Sequence, residues 1–295
     1  MLSRSLLFVP GNKEKMLAKI NEQLADIILI DLEDAVILED KETSRELINE
    51  YIQTYKKDVF IRVNNVNSDD FIKDMHFINK ISNAECLKGV MLPQVNSKED
   101  INILKTHLNK FESKLNKKEK SKFSIIPLIE DAYGIYNIDE IIQSSDRIFK
   151  IAFGGEDFSF DINAQRTENE TELLFARSKI VLASRAHDIG SPIDTVYTDI
   201  KNNKGFKENC TFVKSLGFDG KLLVHPSQVE NANAIFAPSL KEVEFAEKVV
   251  LESKNNHGAF QLEGEMIDKP IIDKAQKLIN KHTEITKVKE DEKND

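Results

Sequence analysis

The chain has 295 residues, with 41 Lys+Arg against 50 Asp+Glu, a formal net charge of −9 and a pI near 5.4. This negative surplus repels phosphate backbones and argues against nucleic acid as a partner. Hydrophobic and charged shares of 40% and 31% exclude a disordered chain, and two cysteines, Cys86 and Cys210, exclude a disulfide scaffold or a structural zinc site.

Apolar runs rich in Ile, Val, Leu and Phe recur at 6–9, 27–32, 59–63, 89–92, 123–129, 147–153, 193–200 and 221–224. Several are apolar throughout, the mark of strands buried on both faces. The first is shorter than the roughly seven residues of a signal-peptide core. No window approaches the ~18 apolar residues of a membrane span. A cytoplasmic protein with no membrane partner is therefore expected. Between the runs lie polar stretches at helical spacing, such as Met16, Ile20 and Leu24, or Leu173, Leu174, Ile180, Val181 and His187. Eight strand–helix units in about 230 residues predict a (β/α)8 TIM barrel over residues 1–235. A doubly wound open sheet is the alternative, but the first turn, Pro10-Gly11-Asn12-Lys13, carries no Gly-rich phosphate fingerprint. The Lys-rich stretch 110–122 reads as a solvated helix end and loop. Residues 236–282 form a predicted helical extension, with helices at 238–254 and 271–279 around a loop or hairpin at 257–270. The charge-dense tail, 283–295, is expected to be disordered.

Barrel chemistry sits at the C-terminal strand ends. Those ends read Pro10-Gly11, Asp31-Leu32-Glu33-Asp34, Arg62-Val63-Asn64-Asn65, Pro93-Gln94, Glu130-Asp131, Gly154-Gly155-Glu156-Asp157, a seventh near Asp199, and His225-Pro226. Carboxylates gathered on one rim repel one another, and a divalent cation relieves that repulsion. Glu130 and Asp157 end consecutive strands and form the best ligand pair; oxygen-only ligands with waters suit Mg²⁺. Gly154 and Gly155 clear side chains beside that pair, so backbone N–H groups can approach a carboxylate. Arg62 is expected either to pair with Glu33 or Asp34 or to face a carbonyl or enolate oxygen. Pro10, Gly11, Gly155 and Glu156 join Arg62 and Glu130 in the expected substrate-binding set. His225 reads as a hydrogen-bonded rim histidine.

The segments RSLLFVPGN (4–12), DLEDAV (31–36), IRVN (61–64), LPQV (92–95), IPLIEDAYGI (126–135), FGGEDF (153–158), ARSKIVLASRAHDI (176–189), GFDGKLLVHPSQV (217–229) and GAFQLEGEMIDKP (258–270) resemble the citrate lyase β-subunit-like proteins of the HpcH/HpaI aldolase/citrate lyase family. The resemblance implies a (β/α)8 barrel, Mg²⁺, and making or breaking a C–C bond beside a thioester. It implies Mg²⁺ on Glu130 and Asp157, oxoacid binding by Arg62 with Glu33 in the same pocket, and acid/base catalysis by Asp268 reaching in from a neighbouring subunit. Such relatives are commonly trimers. Two departures are Gln94, where the family often has Lys, and Asp131, where it often has Thr. Three functions follow: a lyase or synthase acting on a CoA ester of malyl or citramalyl type; a citrate lyase β subunit acting on an acyl-carrier-protein thioester; or a non-catalytic, regulatory barrel subunit that only binds.

Overall fold

The computed structural model describes residues 1–113, 122–256 and 258–294; most of the Lys-rich stretch lies outside them. Contacts divide the chain into a unit of residues 3–233 and one of 234–295.

In the first unit, β1 (Ser5–Pro10), β2 (Ile27–Asp31), β3 (Asp58–Arg62), β4 (Leu87–Leu92), β5 (Ser124–Ile129), β6 (Ala152–Phe153), β7 (Ile193–Asp194) and β8 (Gly220–Leu223) close into a barrel in sequence order. Neighbouring strands are parallel, β8 against β1 included. This is the predicted (β/α)8 architecture. Strand residues alternate direction, so one set fills the interior. Leu6, Leu29, Phe60, Met91, Ile126, Ala152, Ile193 and Leu222 belong to that buried cluster. The opposite set, including Ile28, Ile30 and Ile61, is equally buried, which explains why the strands read as unbroken apolar runs. At Gly89 a Cβ would stand 2.1 Å from the Ser124 carbonyl oxygen, so β4 and β5 require glycine there.

Helices outside the barrel start where the sequence supplies caps. Ser68 accepts the Phe71 N–H ahead of the helix Asp69–Ile81. Ser97 and Asp100 form a capping box on Lys98–Glu112, whose Ile101, Leu104, Leu108 and Phe111 are buried at helical spacing. Two strands are shorter than predicted. β6 begins at Ala152 rather than 147, because Arg147 is drawn to Glu112 at 2.5 Å and Ile148 makes only an isolated bridge. β7 stops at Asp194, so the seventh rim position is Thr195 and Val196. Asp199 lies exposed in a turn, its carboxylate accepting the Lys201 N–H at 3.2 Å.

In the second unit, the helix Leu240–Ser253 opens on a Ser239–Glu242 capping box. A hairpin of β9 (Phe260–Leu262) and β10 (Glu265–Ile267) turns through Glu263 and Gly264, both at positive φ (52° and 90°), as a two-residue hairpin turn requires. The helix Lys269–Asn294 completes a small core of Ala246, Val249, Ile267 and Ala275. It runs on through 283–294, where charge density predicted a disordered tail. Lys and Glu are good helix formers, and here they extend a helix already nucleated on that core. Among the described residues no helix is long and apolar enough to cross a membrane.

Candidate active site

The C-terminal strand ends surround a cavity of about 360 Å³. Its wall holds five carboxylates (Asp31, Asp34, Glu130, Glu156 and Asp157) and a single guanidinium, Arg62, over an apolar floor that includes Phe8, Leu128 and Leu222.

Register builds the cationic side. The ladder pairs Asp31 with Arg62 as the last residues of β2 and β3. Arg62 donates Nε to Asp31 Oδ1 at 2.7 Å and Nη2 to Asp31 Oδ2 at 2.5 Å, a bidentate pair. Its Nη1 faces Glu33 at 3.0 Å and Asp34 at 3.3 Å, and its guanidinium carbon stands 4.8 Å over the Phe8 ring. Burial opposes the charge, but the hydrogen bonds and charge of Asp31, helped by Glu33 and Asp34, hold the Arg62 pKa above its ordinary value. Of five guanidinium N–H groups, these contacts leave one on Nη2 for a ligand. Asp31 is further held by the N–H groups of Glu33 (2.9 Å) and Ala35 (3.1 Å).

Glu130 follows β5 and is 6% exposed. Its Oε1 accepts the Gln94 N–H at 2.6 Å, and Gln94 holds left-handed φ, 52°, to aim that N–H. Asp157 lies in the first turn of the helix Gly155–Asp161, one step past β6. Burial pushes the Glu130 carboxyl up to about 8; the Gln94 N–H opposes the rise and the nearby Asp157 adds to it. Asp157 is also raised, by burial and then by Asp34, with Arg62 working the other way. Neither makes an ion pair with Lys or Arg among the described residues. A Cβ on Gly154 would stand 2.6 Å from Glu130 Cβ, so glycine there makes room for the carboxylate. Buried Glu130 and exposed Asp157, which repel one another and have no basic partner among the described residues, fit a hard divalent cation. Among the described residues no group of three or more His, Cys, Asp or Glu is arranged to hold a metal; two carboxylates alone would leave a hard cation with positions open.

Other predicted residues fall elsewhere. Glu33 contacts Arg62 but does not line the cavity; burial, partly offset by Arg62, pushes its carboxyl up to about 8. Pro10 and Gly11 do not line the cavity; the Gly11 N–H is bonded to the Asp31 carbonyl at 2.9 Å. The Gly155 N–H is taken by Thr195 Oγ1 at 2.8 Å. Glu156 lines the cavity, with its carboxylate held by Arg166. His225 caps the turn Pro226–Gln228. Asp268 belongs to the second unit, where Oδ1 accepts the Ile271 N–H at the start of the last helix. The two departures find local roles. Asp131 caps the helix Ala132–Tyr136 by accepting the Gly134 N–H at 2.6 Å. Gln94 Nε2 reaches Glu33 at 3.3 Å. Sequence reasoning did not assign Asp31, Thr195, Arg166 or Phe8. Asp31 was within reach, because aligning runs 27–32 and 59–63 as neighbouring strands sets it opposite Arg62.

The HpcH/HpaI aldolase/citrate lyase family matches residues 4–226. The citrate lyase subunit beta of Escherichia coli (strain K12) is 32% identical over 98% of this chain and 95% of its own length. That of Haemophilus influenzae is 34% identical over 95% and 97%. Human mitochondrial citramalyl-CoA lyase is 30% identical over 96% and 86%. Among solved structures, protein CitE of Mycobacterium tuberculosis in complex with magnesium, acetoacetate and coenzyme A superposes with a TM-score of 0.75. It covers 96% of this chain and 98% of that one at 24% identity, a likeness of fold. By barrel, rim and sequence, this chain belongs to the HpcH/HpaI aldolase/citrate lyase family.

Proposed function

We propose that the chain is a Mg²⁺-dependent carbon–carbon lyase that cleaves a hydroxyacyl thioester of citryl, malyl or citramalyl type into a 2-oxoacid and an acetyl thioester, or runs the condensation. The observation that carries this is the pair of buried Glu130 and exposed Asp157, without a Lys or Arg ion pair among the described residues, lining one cavity with Arg62. Its relatives include the citrate lyase subunit beta of E. coli and human citramalyl-CoA lyase.

Glu130 and Asp157 would hold Mg²⁺. When bound, the ion polarises the carboxylate and 2-oxygen of an oxoacid. Arg62 offers its remaining Nη2 hydrogen to that oxygen. Asp31, Glu33 and Asp34 fix the guanidinium, so little reorganisation is needed as charge gathers there. Glu33 acts through Arg62. The apolar floor of Phe8, Leu128 and Leu222 excludes water and strengthens these interactions. In condensation, Asp268 removes a methyl proton from the acetyl thioester, the resulting carbanion adds to the oxoacid carbonyl carbon, and the oxygen gains the charge that Arg62 stabilises. The alkoxide then takes a proton from solvent; in cleavage the hydroxyl gives that proton back to solvent, the same bond breaks, and Asp268 returns its proton to carbon.

Asp268 would come from a neighbouring subunit of a homotrimer. Support for self-association comes from Tyr133, Tyr136, Phe160 and Phe175, which are 72–88% exposed on helices outside the barrel. The proposal places the chain in the cytoplasm, in keeping with two unpaired, buried cysteines. The test is a panel of CoA esters offered to purified protein with Mg²⁺ or with EDTA. Turnover of a CoA ester alone marks a stand-alone enzyme. Turnover only of a carrier-protein thioester marks a complex subunit. Full turnover in EDTA refutes the metal role, and binding without turnover of either thioester leaves the regulatory reading.

A further inference from the structure

The helix Gly155–Asp161 presents two adjacent carboxylates, Glu156 and Asp157, to the cavity. Of the two, only Asp157 is without a cation among the described residues. Glu156 Oε1 accepts Arg166 Nε at 3.1 Å and lies 3.0 Å from Nη2. Arg166 is itself anchored. Its Nη2 reaches Glu170 Oε1 at 2.8 Å, and its Nη1 bonds Glu172. Glu170, 6% exposed at the side chain and at φ 52°, holds the fully buried Arg177 at 2.6 Å and Asn209 at 2.6 Å with its other oxygen. Arg177 in turn grips Asp194, the last residue of β7, at 2.7 Å, and Asp194 pairs with Lys221 of β8 at 2.5 Å. This chain of charges ties the Arg166 guanidinium to the barrel wall.

We infer that Arg166 is a positioning residue that withholds the Glu156 carboxylate from the cation pocket. The inference rests on the proposed metal role of Glu130 and Asp157. Three carboxylates converging on one small divalent ion would bind it more tightly, but would fill a position that a chelating oxoacid needs and would repel its negative charge. With Glu156 neutralised, the site keeps two carboxylates and open positions. The anchoring through Glu170, Arg177 and Asp194 keeps the guanidinium on Glu156 when the oxoacid anion enters.

The test measures Mg²⁺ binding by calorimetry, then oxaloacetate binding to the Mg²⁺-loaded protein, without turnover. Arg166→Ala is expected to bind Mg²⁺ about tenfold more tightly and oxaloacetate at least about tenfold more weakly. The double variant Arg166→Ala/Glu156→Gln is expected to return both toward the wild-type values. If Arg166 only braced the fold, both affinities would fall and the second substitution would restore neither; that result overturns the inference. Glu156→Gln alone keeps an amide for Arg166 and decides the matter even if Arg166→Ala does not fold. Mg²⁺ affinity within about threefold of wild type supports withholding, and a loss of tenfold or more overturns it. A wild-type protein that binds no Mg²⁺ is a different result, and it removes the proposed function and this inference together.

Discussion

Replacing Arg62 with Met separates what the guanidinium does for stability from what it does for chemistry. Met approximates the length of the side chain but removes every N–H. Asp31, 1% exposed, then loses two charge-assisted bonds, at 2.7 and 2.5 Å. Stripping one partner from a buried ion pair costs about 3–5 kcal/mol. The lower end applies, because Asp31 keeps the N–H groups of Glu33 and Ala35. Glu33, pushed up to about 8, is mostly protonated at neutral pH and adds little to the cost. A loss of about 3 kcal/mol is therefore expected in urea unfolding. Catalysis is expected to fall further: loss of a donor to developing oxyanion charge costs about 2.7–4 kcal/mol in barrier, a drop in kcat of a hundredfold or more. Adding Asp31→Asn removes the orphaned charge and should recover much of the stability but none of the turnover. The assays are urea unfolding and steady-state kinetics well below the unfolding transition. A folded Arg62→Met protein with kcat within tenfold of wild type refutes the role given to Arg62. Unchanged unfolding refutes the argument about the pair.

The Glu130 carboxyl, raised from its ordinary 4.5 to about 8, carries a proton at pH 7 that a bound cation must displace, so Mg²⁺ affinity should rise with pH and level off above about 8. Calorimetry at pH 7 in buffers of different ionisation enthalpy should register release of about one proton; none released and a pH-independent Kd would contradict this. The folded state binds that proton more tightly than the unfolded state, so the metal-free protein should lose stability as pH rises from about 4.5 to 8, seen as a falling Tm that Mg²⁺ restores. Thr195→Val leaves the buried Gly155 N–H without its 2.8 Å acceptor; a stability loss of about 1–3 kcal/mol and weaker Mg²⁺ binding are expected, and an unchanged denaturation curve would count against it. Asp268→Asn should abolish methyl-proton exchange of an acetyl thioester, followed by NMR in deuterated water, and leave oxaloacetate binding intact.

The order of elements and the barrel itself were legible because each strand is apolar on both faces and each gap has room for a helix. Those are local properties of composition and spacing. The rim positions of Arg62, which ends β3, and Glu130, directly after β5, were legible for the same reason, since a charged residue at the end of an apolar strand can only emerge at the rim; Asp157 follows β6 after two glycines and Glu156. Strand ends were less visible at β6 and β7, where two residues pair and the rest of each run is claimed by long-range contacts: Arg147 by Glu112, Thr195 by Gly155. The helix through 283–294 was misread for a related reason, as charge density cannot show that an earlier turn is anchored by Ile267 and Ala275.

The sequence by itself determined the closed barrel and the acidic rim that carries Glu130 and Asp157. Only the tertiary structure decided how charge is shared on that rim. Strand register gave Arg62 to Asp31 first, and a chain of contacts from the wall of β7 gave Glu156 to Arg166. Pairing of charges depends on distances across the fold, and neighbours 10 to 31 positions apart in the chain carry no local mark of which partner each will meet.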